Sequence, residues 1–491
     1  MITEKKKASF HLIKKYKDLP VQIKAAFWFI VCNFMVKGIV FISTPLFTRL
    51  LSTEDYGIVA VFNSYQQVIL IFATFELSLG AYTKGYIKYD GRTKEFTTNL
   101  IIIGNIITFL CWLPFILIKD YFLKLTGVDT LCLLLMFVLF LVQPSYQCWM
   151  YRERYNYKYE LVVIMTLLSA TVTTFVPLYF VAFVSNSAKT KVAVTLICGV
   201  LFSVPFYISS LVSGGMVRER KFFLDNLRFC LTFQTPLVVH SLSFLILGQS
   251  DRMMISEMVG RSEAAIYSVS YSLAVVVSIF QSSINQVFQP YRYQKMQEGD
   301  DTAIRNTTNS LLILFAGMII NFILIAPETI GILFPKYYYD AIWVIPPVSV
   351  GIFFIFLYSI FVDVESFYEK TKYVMYASIV CAVTNIFLNY VGIKSFGYIA
   401  CAYTTLISYI LFAVMHYTFM KRTCRECGID KKYFDIKRIT AISSLVTIFG
   451  VGLAFLYPYI ALRYVIFAIV IIVIFIKKNE IKKLISIRKE N

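Results

Sequence analysis

A chain of 491 residues with 58% hydrophobic and only 15% charged residues is too apolar for an ordinary soluble domain, and its length suits one polytopic unit. A formal net charge of +18 would suit a nucleic-acid ligand only on a soluble module with a basic face, and no such module stands between the apolar runs. The composition therefore predicts an all-α polytopic membrane protein.

Fourteen apolar segments are long enough to span a bilayer, because about 20 residues at ~1.5 Å each cover a hydrocarbon core of about 30 Å. In chain order they read as 25–47, 56–81, 97–118, 130–150, 160–184, 192–212, 233–257, 264–290, 307–330, 342–362, 373–391, 396–419, 439–457 and 460–476. The first does not read as a cleavable signal. It is longer than a signal's apolar region, lacks a small-residue cleavage site and follows a basic stretch ending Lys14, Lys15 and Lys17. Loops taken alternately, with both tails, carry 36 Lys and Arg, the opposite loops carry 10, and Lys37 lies inside the first span. By the positive-inside rule both termini are expected in the cytoplasm. The tails and the loop 421–438 should rest on anionic lipid headgroups, worth about 1 kcal/mol per basic residue.

Sliding the chain over itself by 209 residues lays Thr53–Phe62 over Ser262–Tyr271 and the basic loop 82–96 over 291–305. The loops near 151–159 and 213–230 recur near 363–372 and 420–438. Six spans separate equivalent points, so the halves share an orientation, the parallel-repeat plan of several secondary transporters. The expected organisation is a basic tail 1–24, six-helix bundles at 25–227 and 228–420, a basic loop 421–438, two additional spans within 439–476, and a basic tail 477–491. The repeat also maps the first span onto 234–256, placing Asp251 and Arg252 on a helix rather than in a loop.

A charge in mid-membrane costs at least about 2.5–3.5 kcal/mol and so faces a cavity or a partner. Lys37 lies about 18 Å along its helix from the span's start, too deep for easy snorkelling, which makes it a candidate to line a substrate cavity. Asp251 and Arg252 are adjacent and point to different sectors of their helix. Arg suits phosphate because its guanidinium donates in a fork. Glu76, near the cytoplasmic end of span two, and His240, mid-span in the seventh, are candidates for proton coupling. The tyrosines of 155–159 and 337–339 read as interfacial aromatics.

Enzyme chemistry has little footing. There is no phosphate-cradling glycine loop, no nucleophile elbow and no clustered His for metal, so no cofactor is expected. Cys424 and Cys427 form a lone CxxC, short of the four ligands of a structural zinc site. Glu54-Asp55 on the outer face is the one hint of a membrane glycosyltransferase or polymerase, but the external loops are all short.

The segment Ser43-Thr44-Pro45-Leu46-Phe47-Thr48-Arg49-Leu50-Leu51-Ser52-Thr53-Glu54-Asp55-Tyr56-Gly57 resembles the polysaccharide-export family of Wzx-type O-antigen flippases. So do Asp251-Arg252-Met253-Met254-Ile255 and Ala265-Ile266-Tyr267-Ser268-Val269. That family belongs to a superfamily with multidrug exporters and lipid II flippases. The resemblance implies a V-shaped pair of six-helix bundles around a cavity, with two helices appended. The implied activity is transfer of an undecaprenyl-pyrophosphate-linked oligosaccharide across a bacterial inner membrane, for O-antigen, capsule or another surface polysaccharide, alongside a polymerase and chain-length regulators. Carried over residue by residue, it adds Arg49 to Lys37, Arg252 and Asp251 as cavity candidates. A multidrug or organic-cation exporter of the same fold is the alternative, disfavoured because the first span offers Lys37 and no carboxylate.

Overall fold

The computed structural model describes residues 20–214, 219–370, 372–429 and 432–476, so most of both basic tails lies outside it. Among the described residues there is helix and no strand. Thirteen of the described helices are long and apolar enough to cross a bilayer, and one more, Ile460–Ile476, has 17 residues, the short end of the spanning range.

The first half runs α1 Val21–Leu50, α2 Thr53–Thr74, α3 Gly80–Lys88, α4 Thr93–Leu117, α5 Lys119–Thr126, α6 Thr130–Tyr155, α7 Tyr159–Phe183 and α8 Ala188–Gly214. The second runs α9 Arg220–Met258, α10 Arg261–Glu298, α11 Asp301–Leu324, α12 Ala326–Leu333, a 3-10 helix Lys336–Trp343, α13 Ile345–Phe367, α14 Lys372–Phe396 and α15 Ala400–Glu426. Then come α16 Ile436–Gly452, a 3-10 turn Leu453–Leu456 and α17 Ile460–Ile476. The internal repeat reappears in this rhythm, down to an eight-residue helix after the third long helix of each set: α5 answers α12. Thr53 and Ser262, equivalent under the 209-residue offset, share a hydrogen bond of 3.2 Å, as residues beside a two-fold axis do.

Several boundaries differ from the sequence reading. Span two is not one helix to residue 81: it stops at Thr74, and Phe75 and Glu76 adopt left-handed backbone, φ 52° and 46°. Such backbone costs non-glycine residues about 1–3 kcal/mol and persists only where neighbours over-determine it. Here Gln234, buried, accepts the backbone N–H of Ala81 at 2.9 Å and so satisfies an orphan donor in the first turn of α3. Span seven begins 13 residues early, at Arg220, and span eight runs on to Glu298, so Arg292 and Lys295 are helical rather than in a loop. Span nine ends at Leu324 rather than 330, and the residues beyond form α12.

The helices fall into two compact units. The first gathers the described residues of Met1–Ser43, Phe72–Asp120 and Asp129–Thr235. Its core joins Leu77, Ala81, Tyr82, Phe96, Leu100, Ile103, Cys148 and Cys230, with Phe222 and Phe229 packed against it. Gly85 is required there: a Cβ would stand 2.1 Å from the ring of Phe96, which lies parallel to Tyr82 with centroids 6.2 Å apart. The second unit gathers Thr44–Ile71, Tyr121–Val128 and the described residues from Pro236 on. α13 is its axis, packed by α10, α11, α15 and α16, and buried along nearly its whole length. Gly57 lets α2 approach the start of α10, since a Cβ would meet the carbonyl oxygen of Arg261 at 1.9 Å. In both units large apolar side chains stand outward, Leu117 and Phe396 among the most exposed, as expected where the solvent is lipid.

Candidate functional site

The second unit buries a connected set of polar groups that an apolar medium would penalise unless each found a partner. Asp251, on α9, has no exposed surface. It accepts from Asn389 Nδ2 at 2.7 Å, from Thr405 Oγ1 at 2.9 and 3.1 Å, from Tyr271 at 3.3 Å and from Tyr267. The periodicity explains the convergence: Tyr267 and Tyr271 are one turn apart on α10, Asn385 and Asn389 one turn apart on α14, and i, i+4 pairs share a face. Asn385 donates to Thr405 at 3.0 Å and accepts from Ser250 at 2.9 Å, while Thr404 donates to Asn389. Four helices are thus tied to one carboxylate. No cluster of three or more His, Cys, Asp or Glu suited to a metal exists among the described residues.

Arg252 points away from this set. Its guanidinium donates to the Gly248 carbonyl at 3.0 Å and to Gln249 Oε1 at 2.8 Å, and lies over the ring of Tyr271 at 4.4 Å. Ser64 also donates to Gln249, and Gln249 to Gln67, so α2 is joined to the same group. Arg252 keeps partial exposure and further N–H donors. Asp251 and Arg252 therefore occupy different sectors, as their adjacency requires, with the carboxylate structural in its contacts and the guanidinium partly open.

The other candidates make contacts of their own. Lys37, in the first unit, is half-buried and has no hydrogen bond or ion pair among the described residues. Arg49, exposed at the end of α1, donates to the carbonyls of Ile332 at 3.2 Å and Leu333 at 3.3 Å, so it caps the C-terminus of α12. Glu76 sits in the left-handed break before α3. His240 Nδ1 is 2.8 Å from the hydroxyl of Ser378. Ser378 gives its own proton to the Val374 carbonyl, so the imidazole is the donor. Of the tyrosines at 337–339, Tyr338 is fully buried and Tyr337 bonds the Thr48 carbonyl at 3.0 Å, so only Tyr337 and Tyr339 are exposed.

Two buried ionic pairs were missed by sequence reasoning. Arg292 on α10 and Asp363 on α13 form a salt bridge through two guanidinium nitrogens, with Gln289 donating to Asp363 at 2.6 Å. Glu365 on α13 and His416 on α15 are 2.9 Å apart, neither with exposed surface. All but His416 had been assigned to loops because hydropathy falls at a charge. For the set around Asp251 the available signal was the four-residue spacing of Tyr267 and Tyr271 and of Asn385 and Asn389 inside apolar runs.

Comparison with known proteins agrees with this architecture. A model of the polysaccharide biosynthesis protein family matches residues 23–297, and a MatE model matches 236–391. Two Haemophilus influenzae proteins are similar in sequence: Lsg locus putative protein 1, 25% identical over 272 residues, and an uncharacterized membrane protein, 23% identical over 288. Those alignments take in 53% and 56% of this chain and 63% and 66% of the relatives, just under two thirds of their length. Among solved structures, lipid II flippase MurJ in an inward closed conformation superposes with a TM-score of 0.69 at 14% identity, covering 92% of this chain and 99% of that one. An inward-facing MATE-family multidrug resistance transporter of the MOP superfamily gives 0.59 at 11%, covering 82% and 100%. At such identities the likeness is one of fold. With more than half of its length matched by the family model, the chain belongs to the polysaccharide biosynthesis protein family, built on the fold of the MOP-superfamily flippases and exporters.

Proposed function

We propose that this protein is a flippase that moves undecaprenyl-pyrophosphate-linked oligosaccharides from the cytoplasmic to the external leaflet of a bacterial inner membrane. The observation that carries the reading is the polysaccharide biosynthesis match across 23–297, which contains Lys37 and Arg252, two cationic side chains within spans that keep donors for an anion. A glycan headgroup joined through pyrophosphate presents a fixed anion and a variable set of hydroxyls. Charge-assisted hydrogen bonds hold the first, worth about 1.5–3 kcal/mol each, while the sugars are held loosely. The Lys and Arg bias of 36 to 10 supports cytoplasmic termini, testable by reporter fusions at Asn491 and within 421–438. A polymerase and a chain-length regulator would take up the product.

Lys37→Ala or Arg252→Ala should cut surface glycan strongly at normal membrane abundance. Arg252→Lys should keep part of it, since charge survives without the fork. Full export by both alanine variants would remove the anion-reading role. The MatE match over 236–391 supports a second reading, multidrug export. In that case deletion would raise accumulation of a cationic dye and leave surface glycan intact.

A further inference from the structure

The two halves end equivalent helices in the same way. Glu153 and Glu365, Tyr157 and Glu369, and Lys158 and Lys370 are each 212 residues apart. In both, the Lys N–H donates to the Glu carbonyl five residues back, at 2.9 and 2.8 Å, and the residue between is left-handed, φ 56° and 58°. Both Glu side chains turn inward and are buried. Their counter-charges differ. Glu153 lies 2.9 Å from Arg152 Nε and 3.5 Å from Lys158 Nζ, cations that persist at any physiological pH. Glu365 has His416 alone, whose charge depends on a proton.

We propose that the Glu365–His416 pair is a proton-exchange site in the second unit, holding one proton while the helices α13 and α15 are closed over it. With one proton the pair is neutral, as carboxylate and imidazolium or as acid and imidazole. Without it a negative charge stays behind, and with two a positive one, in surroundings with no water-accessible surface. Either state is expensive. The second polar atom of each group, Glu365 Oε2 and His416 Nε2, is buried with no hydrogen-bond partner among the described residues, so neither ring nor carboxylate has a substitute neutraliser. Apolar rings close the site: Phe412 at 4.6 Å and Phe419 at 6.4 Å from the imidazole, with Tyr358 stacked at 5.5 Å.

The charged and titratable groups that face it are few: His240 comes from α9 and Tyr373 from α14. The Arg292–Asp363 pair that joins α10 to α13 lies two residues back from Glu365, on another face of α13, and is neutral within itself. Helices α11 and α16 bring no ionisable group within hydrogen-bond reach of the pair among the described residues. Glu365 lies in the last turn of α13, so fraying of that turn suffices to admit water. Beyond it Glu426 gathers Tyr373 at 2.7 Å, Arg422 at 2.9 Å and Lys370 at 3.2 Å, a partly exposed polar cluster from which water reaches the frayed turn and exchanges the proton. Release of the proton then loosens α13 from α15, and uptake restores the contact.

The test does not depend on what is transported. Hydrogen–deuterium exchange on the full chain in lipid nanodiscs, corrected for intrinsic base catalysis, should show the ends of α13 and α15 losing protection, roughly tenfold, as pH is raised from about 6 to 9. Glu365→Gln, nearly isosteric and never charged, should abolish that dependence, and Glu153→Gln should leave it intact. Infrared difference spectra over the same pH step should contain a carboxyl signal lost in Glu365→Gln. Protection in the wild-type protein that ignores pH would overturn the proposal, even if the variants fold poorly. So would a pH response as large in Glu365→Gln as in wild type. Loss of export without either signal would count against the site and leave the flippase reading untouched.

Discussion

Around Tyr82 and Phe96 the first unit is held by rings and small apolar side chains; around Asp251 and Asp363 the second is held by hydrogen bonds and ion pairs. Lipid tails are as apolar as leucine, so burying apolar surface gives helices little reason to associate in a bilayer. Close packing of rings is one remedy, and polar contacts between helices are the other. The first demands close fit, as Gly85 shows, but leaves no charge stranded when a contact is lost. The second fixes which helix meets which, at the expense of groups that become liabilities when a partner is lost.

The largest expected effect that would break this contrast is Asp363→Ala, which strands the buried guanidinium of Arg292. It should cost about 3–5 kcal/mol, read as a collapse in thermal stability of the purified protein, while the double variant Arg292→Met/Asp363→Leu should recover most of it. If the single and double variants were equally damaged, the pair would be packing rather than charge. Next, Asn389→Leu removes a donor to Asp251 and the acceptor of Thr404, for about 1–3 kcal/mol by denaturation. In the first unit Phe96→Leu should cost about 1 kcal/mol through lost ring contacts, with no sensitivity to pH.

The smallest effect is at Glu328. The Arg463 hydrogen bond, partly opposed by burial, holds this carboxyl below its usual value. A depressed carboxylate contributes stability that is complete above the ordinary Glu value and lost as pH falls through its own. Wild type should therefore exceed Glu328→Gln in melting temperature at neutral pH, by less than about 1 kcal/mol in stability because glutamine keeps an oxygen for Arg463 and the Leu324 carbonyl stays its partner, and the gap should close under acid. A gap that widened instead would mean the ion pair is not what joins α17 to α12.

Helix number and the place of Asp251 were legible because long apolar runs and a 209-residue repeat are strong signals. α5 and α12 were not, since eight amphipathic residues fall below any spanning window. Arg292, Asp363 and Glu365 were lost for a related reason. A charge marks a loop only while it is unpaired, and paired ions let a helix run on past the hydropathy drop. Asn385, Asn389, Thr404 and Thr405 carry no charge and barely disturb the apolar average, so the cage around Asp251 had no sequence signal stronger than spacing.

Arg463 reaches Glu328 through two nitrogens at 2.7 Å and the Leu324 carbonyl at 2.7 Å, while being 2% exposed. These partners are 135 residues apart in the chain. At about 5–20 residues per second, the ribosome delivers Arg463 on the order of ten seconds after Glu328 has entered the bilayer. During that interval the second bundle carries an acidic short helix with its clasp not yet synthesised. Among the described helices α17 is thus the closing stitch of assembly, and a nascent chain stopped before it would present quality-control proteases with the Glu328 end of the second unit not yet fastened.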